Sequence, residues 1–107
     1  MQARTTTTAS VRVAVVDPRP LFRRGVLTAL ASQGDLTPAG EAVDGAGALE
    51  LVRAAQPDVV LLGLGLPDQS GAAVCERLRA EHPRTRVVIL SARDDDAGLG
   101  GAVRAGA

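Results

Sequence analysis

The stretch Pro57-Asp58-Val59-Val60-Leu61-Leu62-Gly63-Leu64-Gly65-Leu66-Pro67 constrains the fold more than any other part of the chain. Asp58 to Leu62 has the length of a strand, and its apolar residues do not alternate with polar ones. That is the pattern of a strand covered on both faces, which belongs to parallel sheets flanked by helices. In an open sheet of this kind, ligands bind where strands end at their carboxyl side. The strand-end position here is Gly63, which offers no side chain for chemistry.

The rest of the chain repeats the same alternation. Val11 to Val16 is apolar and β-branched apart from Arg12 and Ala14, and Asp17-Pro18 ends it. Pro20 opens a helix whose inward face is expected to carry Leu21, Phe22, Gly25, Val26, Ala29 and Leu30, with Gly34 as its terminator. Leu36 to Ala42 reads as a strand. Its Pro38 cannot donate to a ladder hydrogen bond and therefore places it at a sheet edge. Asp44 caps a second helix through Gln56, with Ala48, Leu49, Val52 and Ala55 inward, and Pro57 stops it. Ser70 caps a third helix to about His82, with Ala73, Val74, Arg77 and Leu78 along one side, and Pro83 stops it. Arg86 to Leu90 is a fourth strand. Asp94 caps a last helix over about 95–104, weakened by Gly98, Gly100 and Gly101 at roughly 1 kcal/mol each. Residues 1–10 lack apolar periodicity and read as a disordered lead. The order β-α-β-α-β-α-β-α implies a doubly wound parallel sheet with helices on both faces.

The chain of 107 residues is the size of one domain. Its formal net charge is zero, so the segment makes no broad electrostatic case for nucleic acid or a membrane surface. No apolar run is long enough to span a bilayer. The lone Cys75 excludes an internal disulfide and suits a reducing cytoplasm. All 12 basic residues are arginine, so no step that needs a lysine ammonium can run within these residues.

Taken in order, these motifs carry a resemblance. Val13-Ala14-Val15-Val16-Asp17-Pro18-Arg19-Pro20-Leu21 resembles the first strand and loop of bacterial response-regulator receiver domains, and Arg23-Arg24-Gly25-Val26 continues it as in the NarL/FixJ (LuxR-type) class. Gly40-Glu41-Ala42, Asp44-Gly45, Ala48-Leu49, Leu66-Pro67, Gly71, Leu78-Arg79, Val88-Ile89-Leu90-Ser91-Ala92 and Arg104-Ala105-Gly106-Ala107 extend the match across residues 11–107. The resemblance implies an α/β, flavodoxin-like (CheY-like) fold with sheet order 2-1-3-4-5. It leaves the fifth strand and helix beyond Ala107, so the domain is expected to be incomplete at its C-terminus. A fourth strand left at the edge would make the fragment marginal alone, prone to oligomerise, or part of a longer chain.

The family holds Mg²⁺ with an acidic pair after the first strand and an aspartate after the third, and that aspartate accepts a phosphoryl group. A hydroxyl after the fourth strand reads the phosphate. Asp17 matches the first acid, Pro18 stands in place of the second, Gly63 stands in place of the phosphoacceptor, and Ser91 matches the hydroxyl. Phosphoryl transfer to a carboxylate needs that carboxylate and a metal to neutralise charge. Mg²⁺ in turn needs hard oxygen ligands, usually including one or two carboxylates. Asp58 begins the third strand, remote from its end, and Asp68 lies beyond the strand in a loop. The expectation is therefore a degenerate pocket with no phosphorylation, Mg²⁺ binding lost or weak, no other cofactor and no enzyme activity.

Arg19 sits beside this pocket, where it can pair with Asp17 or bind an anion or ligand; a solvated side chain is the preferred reading. Asp17 is assigned a structural hydrogen bond to its loop. Ser91 either moves a loop or satisfies backbone groups. Asp94-Asp95-Asp96 reads as helix capping, His82 as a helix-end residue without companion ligands, and Cys75 as a packing or surface residue. The expected role is an atypical, phosphorylation-independent receiver, acting as a dimerisation or regulatory module of a transcriptional regulator. Its partners are a second copy of the chain and, through a helix-turn-helix domain outside these residues, DNA. The alternatives are a small-ligand-sensing receiver and an adaptor that binds a kinase or another regulator.

Overall fold

The computed structural model describes residues 10–90. Within them, β1 (Val11–Val16), α1 (Pro20–Ala31), β2 (Leu36–Ala42), α2 (Gly45–Ala55), β3 (Val59–Gly63), α3 (Gly71–Glu81) and β4 (Arg86–Leu90) follow one another in strict alternation. Of the expected lead over residues 1–10, all but the exposed Ser10 lies outside the described residues, as do Ser91, Asp94 to Asp96 and the helix over 95–104.

The four strands form one parallel sheet in the order β2-β1-β3-β4. β2 is at an edge, where Pro38 had placed it. Pro38 pairs with Val13, and the register then slips so that Ala14 faces Gly40 and Ala39 is the extra residue. The bulge lies where the proline cannot donate.

Successive residues of β1 face opposite sides, and this splits the core in two. Ala14 and Val16 join Val60, Leu62, Ala48, Val52, Val74, Cys75 and Leu78 under α2 and α3. Val13 and Val15 join Leu30, with Val26, Leu27, Val59 and Leu61, under α1. Burying one aliphatic side chain of this kind stabilises by about 1.5–3 kcal/mol, so a core without large aromatics is sufficient.

Two helix faces differ from the sequence expectation. In α1, Leu21 is 87% exposed and Gly25 and Ala29 also face solvent, whereas Leu27 turns inward. The buried stripe is Val26, Leu27 and Leu30, spaced 3 and 4 apart, and it is rotated from the face that starts at Leu21. In α3, Gly71, Val74, Cys75 and Leu78 are buried, while Ala73 and Arg77 are exposed. Arg77 pairs along the solvent side with Glu81 at 2.8 Å. Cys75 is fully buried, and burial pushes its thiol up in pKa, so it is a packing residue.

Candidate functional site at the carboxyl end of the sheet

β1 and β3 are neighbours, and both run out at the same edge of the sheet, one into Asp17 and the other at Gly63. The Asp17 N–H donates to the Ala42 carbonyl at 3.1 Å, which extends the β1–β2 ladder by one residue and fixes the aspartate's direction. Its side chain is almost wholly buried. A buried carboxylate needs compensating donors, and here a single residue supplies them. Arg19 donates from its backbone N–H to Oδ1 at 2.9 Å, from Nε to Oδ1 at 2.9 Å and from Nη2 to Oδ2 at 2.8 Å.

Local sequence produces this clamp. Pro18 and Pro20 flank Arg19, which sits in extended backbone as the N-cap of α1, with Pro20 in the first turn. The two rings restrict the turn and leave the arginine folded back over the aspartate. The guanidinium also lies 4.1 Å from the centre of the Phe22 ring, a cation–π contact. Arg23, one turn into the helix, donates to the Asp17 carbonyl at 2.8 Å and to Glu41 Oε1 at 2.6 Å. Burial pushes the Asp17 carboxyl up. The Arg19 hydrogen bonds and the charges of Arg19 and Arg23 outweigh that and hold it below the ordinary carboxylate value.

This corrects the preferred reading of Arg19 as a solvated side chain. It is half-exposed, at 46%, yet both ends of its fork are committed to Asp17. Pro18, half-buried, presents no oxygen from its side chain. Gly63 is buried, and a Cβ built on it would lie 2.6 Å from Asp17 Oδ2 and 3.3 Å from the Val16 carbonyl oxygen. The aspartate therefore leans into the space that a side chain at position 63 would occupy. Gly71 at the start of α3 closes the floor: its N–H donates to Leu64 O at 3.1 Å, and a Cβ there would lie 2.8 Å from Gly63 O. The structure thus brings Asp17, Pro18, Arg19 and Gly63 together.

Asp68 has a role that sequence reasoning missed. Its carboxylate accepts from the Gly45 N–H at 2.7 Å and the Ala46 N–H at 3.0 Å, while Asp44 accepts from Gly47 N–H at 2.7 Å. Two carboxylates thus satisfy the orphan donors at the start of α2. The backbone hydrogen bonds from Gly45 and Ala46 lower the Asp68 pKa. Asp44 announced itself as an adjacent cap. Asp68 lies in the next strand-to-helix loop, and its only sequence signal was an acidic residue in a loop that the topology carries to the same end of the sheet. Asp58, at the opposite end of β3, accepts from the Arg12 N–H at 2.8 Å, far from this pocket.

The response regulator receiver domain family matches residues 13–107. A probable transcriptional regulatory protein, NarL of Mycobacterium tuberculosis, is 46% identical over 97 residues, which cover 91% of this chain and 45% of that protein. The DNA-binding transcriptional activator DevR/DosR of the same organism is 37% identical over 97 residues, again covering 91% of this chain and 45% of its own length. The chain therefore spans about half the length of these curated relatives. Among solved structures, the signal receiver domain of Mycobacterium tuberculosis NarL superposes with a TM-score of 0.87 at 45% identity, covering 94% of this chain and 81% of that one. Fold, strand order and sequence agree, and the chain belongs to the response-regulator receiver domain family, with NarL-type transcriptional regulators among its relatives.

Proposed function

We propose that this is a phosphorylation-independent receiver domain, a regulatory and dimerisation module of a NarL-type transcriptional regulator. The carrying observation is Gly63 at the end of β3, which has no nucleophile and lies against Asp17, whose Oδ2 stands 2.6 Å from where a Cβ would be. Transfer of a phosphoryl group to a carboxylate requires that carboxylate. Of the two acids five residues from Gly63, Asp58 lies at the opposite end of β3 and Asp68 has both oxygens committed to the N-terminus of α2. The donor set does not suit Mg²⁺ either. Among the described residues Asp17 is the one carboxylate brought to Gly63, both its oxygens are hydrogen-bonded to a cation, and Pro18 adds no ligand.

On this reading the domain catalyses nothing and needs no cofactor. Its output passes through contacts with a second copy of itself to a DNA-binding domain elsewhere in the protein. The relatives' names support that last step, one of them being a DNA-binding transcriptional activator. Among the described residues no helix is long and apolar enough to cross a membrane. The test is intact mass after incubation with acetyl phosphate and Mg²⁺. The expected result is the unmodified mass; a phosphoryl adduct that maps to this domain would overturn the proposal.

A further inference from the structure

We propose that the Arg19 guanidinium is a tethered cation that keeps divalent metal ions off Asp17. The reading deepens the one above by assigning a residue to the pocket's indifference to metal. It fails separately from that reading, because Gly63 lacks a nucleophile whatever Arg19 does.

The argument begins with what a buried carboxylate requires. Asp17 is held in the sheet by its own N–H, and its side chain is almost wholly buried there. It must be neutralised where it is, by a bound cation or by a side chain. Arg19 does this in the geometry that a guanidinium suits best, with two parallel N–H donors on two carboxylate oxygens. A third donor, its backbone N–H, comes from the same residue, so the cation is delivered by the turn itself and cannot diffuse away. Pro18 and Pro20 restrict that turn, and the Phe22 ring backs the guanidinium. Arg23 adds a second positive charge at the Asp17 carbonyl, which further opposes a divalent ion.

Gly63 belongs to the same arrangement. Asp17 Oδ2 reaches Arg19 Nη2 at 2.8 Å while lying 2.6 Å from where a Cβ at position 63 would be. A side chain at 63 therefore meets the clamp, and one of the two must shift. Replacing Gly63 by aspartate alone is expected to disturb the clamp without creating a working metal site.

Two measurements on the protein test this. The first follows the arginine Nε–H resonances in a ¹⁵N spectrum as MgCl₂ is raised to roughly 10 mM, above the millimolar range of weak oxygen-ligand sites. The Arg19 Nε–H signal is expected not to move. A saturable shift would mean that metal displaces the guanidinium, and would overturn the proposal. The second uses Mn²⁺ as a paramagnetic probe on Arg19→Gln, which removes the charge but keeps a polar side chain. The amides of Asp17 and Gly63 are expected to broaden at about tenfold lower Mn²⁺ than in the parent protein, a change a merely structural role would not produce. Equal broadening in the two proteins would overturn it. The first measurement needs no variant, so the proposal stays open to refutation even if Arg19→Gln does not fold.

Discussion

The two ends of the sheet carry charged residues to different purposes. At the amino end, side chains tie themselves to backbone. Arg12 Nη1 donates to the carbonyls of Ala55 and Gln56 at 2.7 and 3.1 Å, Asp58 accepts from the Arg12 N–H, and the buried Thr85 hydroxyl donates to Pro57 O at 3.0 Å. These bonds close the C-terminus of α2 onto the sheet, and Arg12 complements the helix dipole there. At the carboxyl end, the central bond joins side chain to side chain, Asp17 to Arg19, around a glycine. The first end is stitching that holds helix and strand termini together. The second is a charge balance specific to these residues, a closed ion pair beside a strand end that carries glycine.

Substitutions at the two ends therefore differ in kind, and the largest effect is expected where the carboxyl end meets α3. Gly71→Ala sets a methyl 2.8 Å from Gly63 O and Leu64 Cα, both backbone, so the helix must move. Urea unfolding should show a loss of about 2–3 kcal/mol. Gly63→Ala collides with Asp17 Oδ2, the end of a side chain, and should cost about 2 kcal/mol. That cost should shrink when Asp17 is also alanine, and a double-mutant cycle reads the coupling. Independent effects would mean that the glycine and the clamp are unrelated.

Arg19→Ala leaves a buried carboxylate with only a backbone donor. Because the arginine is half-exposed, the urea midpoint should fall by less than it would for a fully buried pair, and by less than for Gly63→Ala. At the other end, Thr85→Val removes one neutral hydrogen bond and should cost about 1 kcal/mol, with no change in any metal titration.

The smallest expected effect is in the pH dependence. The folded Asp17 carboxyl lies below its ordinary value, so it contributes stability that is fully present above the unfolded value of about 4. That contribution is lost as the pH falls through the folded value. Asp17→Asn should flatten this part of the acid-unfolding curve; an unchanged acid limb would remove the ion pair from the account.

Much of the fold was legible in the sequence because parallel strands buried on both faces are written as continuous apolar runs. Pro38 marked the edge strand, and Asp44 and Ser70 marked caps that both form, to Gly47 N–H and Ala73 N–H. The faces of α1 and α3 were less legible. Leu21 and Leu27 are equally apolar, and only the packing against β1 decides which one turns inward. At the site, the residue types at Asp17, Pro18 and Gly63 were plain, but the clamp was not. Whether Arg19 folds back depends on the dihedrals of a turn between two prolines, which residue identity alone does not set. Asp68 was hidden for another reason: its partners lie 22 and 23 residues away, across two loops that meet only in the folded sheet.

The central claim is that this pocket does not respond to phosphate. It is tested most directly by a two-dimensional amide NMR spectrum of the protein, with and without Mg²⁺ and beryllofluoride, a phosphoryl mimic. The account predicts dispersed peaks that neither addition moves. Saturable shifts centred on Asp17, Gly63 and Ser91 would contradict it.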